Sequence, residues 1–250
     1  MNIHFHKPRA NLLAAAILLA STAGALAAEA PELGAAGDFS VLGGSNVTCT
    51  TSVVTSDVGV APGSAVPYTN TGCTIAGAVP PATDADAVDA REDFLAAYED
   101  SLFLQCTEVA GNLANEDLQP GAYCLDAVAK AGTLTLSGEA DDVWVFLVDG
   151  ALTGTNWTVT MNGGEPCNVY WIPTAATTLT TSALKGTIMA GDSMNGSVTV
   201  TGGSIAGGVL ANQAVTLTNT SVIGCSSLTM PGDGDGNGNG NGNGNGAHVP

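Results

Sequence analysis

Val169-Tyr170-Trp171-Ile172, Thr187-Ile188-Met189-Ala190 and Gly208-Val209-Leu210-Ala211 are three short apolar runs in equivalent places. Thr178-Leu179-Thr180-Thr181, Thr199-Val200-Thr201 and Thr216-Leu217-Thr218 follow them in turn. The units close on Gly186, Gly207 and Gly224, which lie 21 and then 17 residues apart (207 − 186; 224 − 207). Short strands with glycine corners at a period near twenty are the signature of a β-solenoid. A sandwich of regular hairpins is the alternative. Asp149-Gly150, Asn162-Gly163 and Asn195-Gly196 supply some turns of the hairpin type. The in-phase repetition of whole units favours the solenoid.

The composition fits coils of that kind. The 33 glycines serve tight corners, and Val, Leu, Ile and Ala alternate with outward Thr and Ser. Outside the β regions, Ala87, Ala90, Phe94 and Ala97 fall on one helical stripe, with Val88, Leu95, Tyr98 and Leu102 beside it. This spacing predicts one helix over about 83–105. Thr83 is its N-cap, and Asp84, Asp86 and Asp89 lie near the positive end of its dipole.

Residues 1–27 read as an export signal: Lys7 and Arg9, an apolar run from Leu12 to Ala20, then Ala25-Leu26-Ala27 as the cleavage site. The expected organisation is a signal at 1–27, a β-solenoid domain at 28–228 and a flexible Gly/Asn-rich tail at 229–250. The expected location is extracellular, with no membrane insertion. After the signal only Arg91, Lys130 and Lys185 oppose 23 acids, a formal charge of −20 (3 − 23). Such a chain cannot neutralise a phosphate backbone, which excludes nucleic acid as a partner.

Cys49, Cys73, Cys106, Cys124, Cys167 and Cys225 all follow the signal. An even count in an exported chain indicates three disulfides, for which sequence alone allows fifteen connectivities. Pairing near neighbours favours Cys49–Cys73 and Cys106–Cys124, leaving Cys167–Cys225 to clip the C-terminal segment.

Catalytic groups are scarce. His4 and His6 lie in the signal and His248 in the tail, so no Ser/His/Asp or Cys/His arrangement and no histidine metal site is available. Asp141-Asp142 is the one carboxylate pair in the β region, and adjacent strand residues point to opposite faces. No enzyme activity, cofactor or metal is expected.

Several ordered motifs resemble the bacterial and fungal ice-binding protein family, also called DUF3494. They are Phe39-Ser40-Val41-Leu42-Gly43-Gly44-Ser45, Val54-Thr55-Ser56-Asp57-Val58-Gly59-Val60-Ala61-Pro62-Gly63, Gln119-Pro120-Gly121-Ala122-Tyr123-Cys124, Val143-Trp144-Val145-Phe146 and Cys167-Asn168-Val169-Tyr170-Trp171. The resemblance runs from about Leu33 to Gly224. It implies a mainly β fold: a discontinuous right-handed β-solenoid of triangular section, with one long α-helix packed alongside and N-terminal strands joining coils built mostly by the C-terminal part. Val66 to Pro81 is short, so no large capping insertion is expected.

The resemblance also implies adsorption to ice, or to ordered water, by a monomer through a flat Thr-rich face. Family sites show Thr, then Ala or Gly, any residue, then Thr or Asn. Thr153-Gly154-Thr155-Asn156 fits fully, and Thr201-Gly202-Gly203-Ser204 ends on Ser. Thr218-Asn219-Thr220-Ser221 loses the small residue, and Thr181-Ser182-Ala183-Leu184 ends on Leu184. The expected ice-contacting residues are therefore Thr153, Thr155, Asn156, Thr181, Thr201, Ser204, Thr218 and Thr220, with Thr153, Thr181, Thr201 and Thr218 in one column. The competing expectation is an extracellular adhesion or matrix module of the same fold, motivated by the Gly/Asn spacer and by Leu184.

Overall fold

The computed structural model describes residues 28–60, 68–79 and 85–225. The signal segment, the Thr83 cap and the Gly/Asn tail lie outside the described residues. A short 3₁₀ turn, Gly34–Asp38, leads into β1 (Phe39–Gly43), β2 (Val47–Thr50) and β3 (Val53–Val54). β4 (Asp57–Val60), β5 (Tyr68–Thr71) and β6 (Thr74–Ile75) repeat that order, and helix α1 (Ala85–Ser101) follows. The chain then runs through β7 (Thr107–Val109), β8 (Asp117–Leu118), β9 (Gly121–Asp126), β10 (Lys130–Ser137), β11 (Trp144–Asp149) and β12 (Leu152–Asn162). It ends with β13 (Val169–Pro173), β14 (Thr177–Lys185), β15 (Thr187–Ala190), β16 (Val198–Ala206), β17 (Val209–Ala211), β18 (Val215–Thr218) and β19 (Ser221–Ile223).

These strands form two sheets. One is eight-stranded, in the order β4-β1-β17-β15-β13-β11-β9-β7, and the other carries β5-β2-β18-β16-β14-β12-β10-β8 with β19, β3 and β6 beside them. Strands stack in parallel, as in β13 on β15 and β14 on β16. A hairpin sandwich would be antiparallel, so the solenoid reading holds. The N-terminal strands stack beyond the last C-terminal coil: β1 pairs β17, β2 pairs β18 and β3 pairs β19. The solenoid is thus discontinuous in sequence. The uneven period has a local cause. Thr178, Thr199 and Thr216 are in register, 21 and 17 residues apart (199 − 178; 216 − 199), and the longer coil contains the connection Gly191–Ser197.

The first sheet is buried on both sides, which is why its strands read as continuous apolar runs. Trp144, Phe146, Trp171, Ile188 and Val209 point into the coil, while Val145, Tyr170, Ile172, Met189 and Leu210 pack with the helix. Phe146 stacks on Trp171 with ring centroids 4.0 Å apart. The helix presents Ala87, Ala90, Phe94, Ala97 and Tyr98, as its stripe predicts; Leu102 instead lies past the helix and is exposed. Small residues permit this close approach. A Cβ on Gly191 would overlap the Tyr98 ring. Arg91 fixes the other side, its Nη2 donating to Asn212 Oδ1 at 2.6 Å.

The second sheet alternates inward apolar and outward polar residues. One end of the solenoid departs from this rule. Lys130 is buried there, its Nζ donating to Gly111 O at 2.7 Å, Asp126 O at 3.1 Å and Asp126 Oδ1 at 3.1 Å. Disulfides join Cys49–Cys73, Cys106–Cys124 and Cys167–Cys225, with Cα separations of 6.1, 5.4 and 5.7 Å. Among the described residues no helix is long and apolar enough to cross a membrane.

Candidate functional site, a face of stacked threonines

In six stacked coils the second sheet begins with a Thr-x-Thr tripeptide. Parallel stacking in register turns these tripeptides into two ladders. Thr153, Thr178, Thr199, Thr216, Thr48 and Thr69 follow one another in the first. Thr155, Thr180, Thr201, Thr218, Thr50 and Thr71 do so in the second. Between the ladders Gly154, Leu179, Val200, Leu217 and Cys49 face the core. Thr155, Thr180, Thr201 and Thr71 are exposed, and Thr50 and Thr218 are partly so.

One backbone device ends the face on every coil. Asn156, Thr181, Gly202, Asn219, Thr51 and Gly72 each follow the second ladder, and each has positive φ, between 46° and 76°. A left-handed residue turns the strand sharply, and Asn and Gly tolerate this conformation best. The repeated corner makes the second sheet two faces instead of one. Behind it, inward hydroxyls satisfy the bent backbone. Trp157 N donates to Ser182 Oγ at 3.3 Å, and Thr220 N to Ser52 Oγ at 3.0 Å.

Beyond the corner the composition is mixed. Thr133, Thr158, Ala183, Ser204, Ser221, Val53 and Thr74 form one rank there. Lys185, Ala206 and Ile223 stack in the next. The threonine face, by contrast, carries no charged or titratable side chain at any ladder position. Parallel coils about 4.8 Å apart place its hydroxyls and methyls on a grid, with about 6.6 Å between ladders. Six ranks span about 24 Å. No ladder position carries a general base that could activate a threonine hydroxyl, and among the described residues no group of three or more His, Cys, Asp or Glu could hold a metal ion.

A family profile described as "Ice-binding-like" matches residues 40–223. The chain belongs to that family. An ice-binding protein of Flavobacterium frigoris (strain PS1) is 31% identical over 212 residues, covering 76% of this chain and 75% of that protein. Ice-binding protein K3-B1 of Typhula ishikariensis is 29% identical over 208 residues, covering 72% of this chain and 85% of that protein. A crystal structure of the ice-binding protein from the Antarctic ascomycete Antarctomyces psychrotrophicus has a TM-score of 0.65 at 29% identity, covering 78% of this chain and 98% of that one. An ice-binding protein from an Antarctic biological consortium has a TM-score of 0.70 at 25% identity, covering 80% of this chain and 93% of that one.

Within this ice-binding-like fold the expected site residues separate. Thr155, Thr201 and Thr218 share a ladder, whereas Thr153 stands in the other. Thr181 and Asn156 are corner residues. Ser204 lies beyond the corner, on the mixed face. Thr220 is only 3% exposed, its Oγ1 donating to Val200 O at 3.3 Å and Thr218 O at 3.1 Å, so it cannot present a hydroxyl outward. The expected column of Thr153, Thr181, Thr201 and Thr218 is therefore not a column. Leu184, read as a break in the ladder, is a core residue, 1% exposed. The ladders also contain Thr48, Thr50, Thr69, Thr71, Thr178, Thr180, Thr199 and Thr216, which are not among the expected residues. Six Thr-x-Thr tripeptides mark every ladder position in the sequence, whereas the four-residue family motif runs across the corner.

Proposed function

We propose that the protein is exported and adsorbs to ice as a monomer through the face built from the two threonine ladders. The observation that carries this reading is that all twelve positions of the two ladders, across six consecutive coils, are threonine. β-Branched threonine suits any outward strand position, but propensity alone gives the mixture found beyond the corner. A uniform grid is a further regularity. Each threonine offers a methyl and a hydroxyl, so the face holds water in a repeating pattern without desolvating a charge. Single contacts are weak, and adsorption comes from many acting together on a rigid surface.

Membership of a family whose relatives are named ice-binding proteins supports the same reading. The competing adhesion reading loses one of its two motives, because Leu184 belongs to the core. The export signal and three disulfides fit an oxidising, extracellular setting. The test is a fluorescently labelled sample of residues 28–250 exposed to a growing single crystal of ice. Labelled planes and inhibited recrystallisation are expected; unlabelled ice and unchanged grain growth would contradict the proposal.

A further inference from the structure

We infer that the Cys49–Cys73 disulfide positions the outermost rank of the adsorbing face, Thr69 and Thr71. The inference rests on the proposed role of the threonine face. β5, which carries both threonines, is the edge of its sheet, pairing β2 on one side. In the three C-terminal coils the residue between the ladders is an apolar anchor: Leu179, Val200 and Leu217 are each fully buried. In the terminal coil that register position is Asn70, which is exposed. The coil therefore lacks the central anchor of those coils, and only the part-buried Tyr68, Cys73 and Ile75 pack it against the core.

What replaces the anchor is covalent. Cys49, 1% exposed, occupies the anchor position of the preceding coil, and its sulfur reaches across to Cys73 in the terminal coil. Asn70 then clasps the same cysteine. Cys73 N donates to Asn70 Oδ1 at 2.7 Å, and Asn70 Nδ2 donates to Cys73 O at 3.3 Å. Ser52 N donates to Cys73 Sγ at 3.2 Å, tying the bridge to the corner of the preceding coil. Without the bridge, an edge strand with no fully buried side chain opens locally while the remaining coils stay folded.

The experiment compares four forms of the mature protein in ice adsorption: unaltered, Cys49→Ala/Cys73→Ala, Thr69→Ala/Thr71→Ala, and all four changes together. Trp144, Trp157 and Trp171 lie in other coils and report by fluorescence that the body is folded. The cysteine pair is expected to lose as much adsorption as the threonine pair, with no further loss when the two are combined, since both remove the same rank. Cys106→Ala/Cys124→Ala, away from the face, is expected to adsorb fully. Hydrogen exchange over residues 68–75 gives a reading independent of ice, and faster exchange in the cysteine variant is expected. Unchanged protection there, or losses that simply add, would overturn the positioning role. Failure of the unaltered protein to adsorb would instead overturn the reading of the face.

Discussion

Thr51 donates a hydrogen bond from Oγ1 to Oδ1 of Asn219 at 2.6 Å, across 168 residues of chain. Both residues are left-handed, with φ of 46° and 51°. Their contact lies on the seam where the N-terminal coils continue the C-terminal stack, beside the pair Thr50 and Thr218. The face is thus one surface made from two distant segments, and its corner is repeated faithfully across the join.

The corner gives a prediction about strain. Thr181 has φ of 50°, a conformation costly for a β-branched residue, and Gly202 takes its place in the next coil. Thr181→Gly is expected to stabilise the fold, or leave it unchanged, by up to about 1 kcal/mol. Adsorption is expected to persist, because Thr181 belongs to neither ladder. Thermal melts and ice labelling check both parts.

Thr220 separates core from surface. Its hydroxyl serves Val200 O and Thr218 O inside the coil. Thr220→Val keeps the shape and removes the donor, and is expected to cost about 1–2 kcal/mol. The variant that remains folded is expected to adsorb as the parent does. Denaturant titration and adsorption at matched folded concentration measure the two separately.

Acid and alkali are expected to act on stability and not on the face. The backbone N–H of Gly111, then Lys130, hold the Asp126 carboxyl below its ordinary value of 3.8. Its contribution is present above that value and is lost as pH falls through the lowered one. Burial raises Tyr170, Tyr98 and Tyr123 above their ordinary 10.0. Their contribution is present below 10.0 and fades as pH rises through the raised values. No ladder residue titrates, so the folded protein is expected to adsorb equally across the range between. Melting temperatures and adsorption measured together from pH 3 to 11 check this.

Much of the fold was legible. Gly186, Gly207 and Gly224 mark the coil corners, and the Ala87, Ala90, Phe94, Ala97 stripe marks the buried side of the helix. The three disulfides are the pairs that the sequence favours among fifteen connectivities, two of near neighbours and Cys167–Cys225 as the remainder. The site was less legible, for a physical reason. Side chains alternate only while a strand stays extended. The left-handed residue at each corner resets that alternation, so Thr220 turns inward two residues after the outward Thr218. Period counting across the corner joined residues that the fold separates. The contribution of Thr48, Thr50, Thr69 and Thr71 was hidden by sequence distance, since they join the C-terminal ladders only through β2 and β5.

The most direct measurement is ice-crystal labelling by Thr201→Lys against Glu92→Lys. Thr201 lies between Thr180 and Thr218 in the second ladder, exposed, and a surface change there should shift stability by no more than about 0.5 kcal/mol. A hydrated ammonium in the middle of the grid would hold the lattice off. Glu92 is exposed on the helix, across the first sheet from the ladders. With both variants folded by thermal melt, Thr201→Lys is expected to lose ice labelling and crystal shaping while Glu92→Lys keeps both. Full labelling by Thr201→Lys would contradict the threonine face as the adsorbing surface, and loss by Glu92→Lys alone would move that surface to the helix.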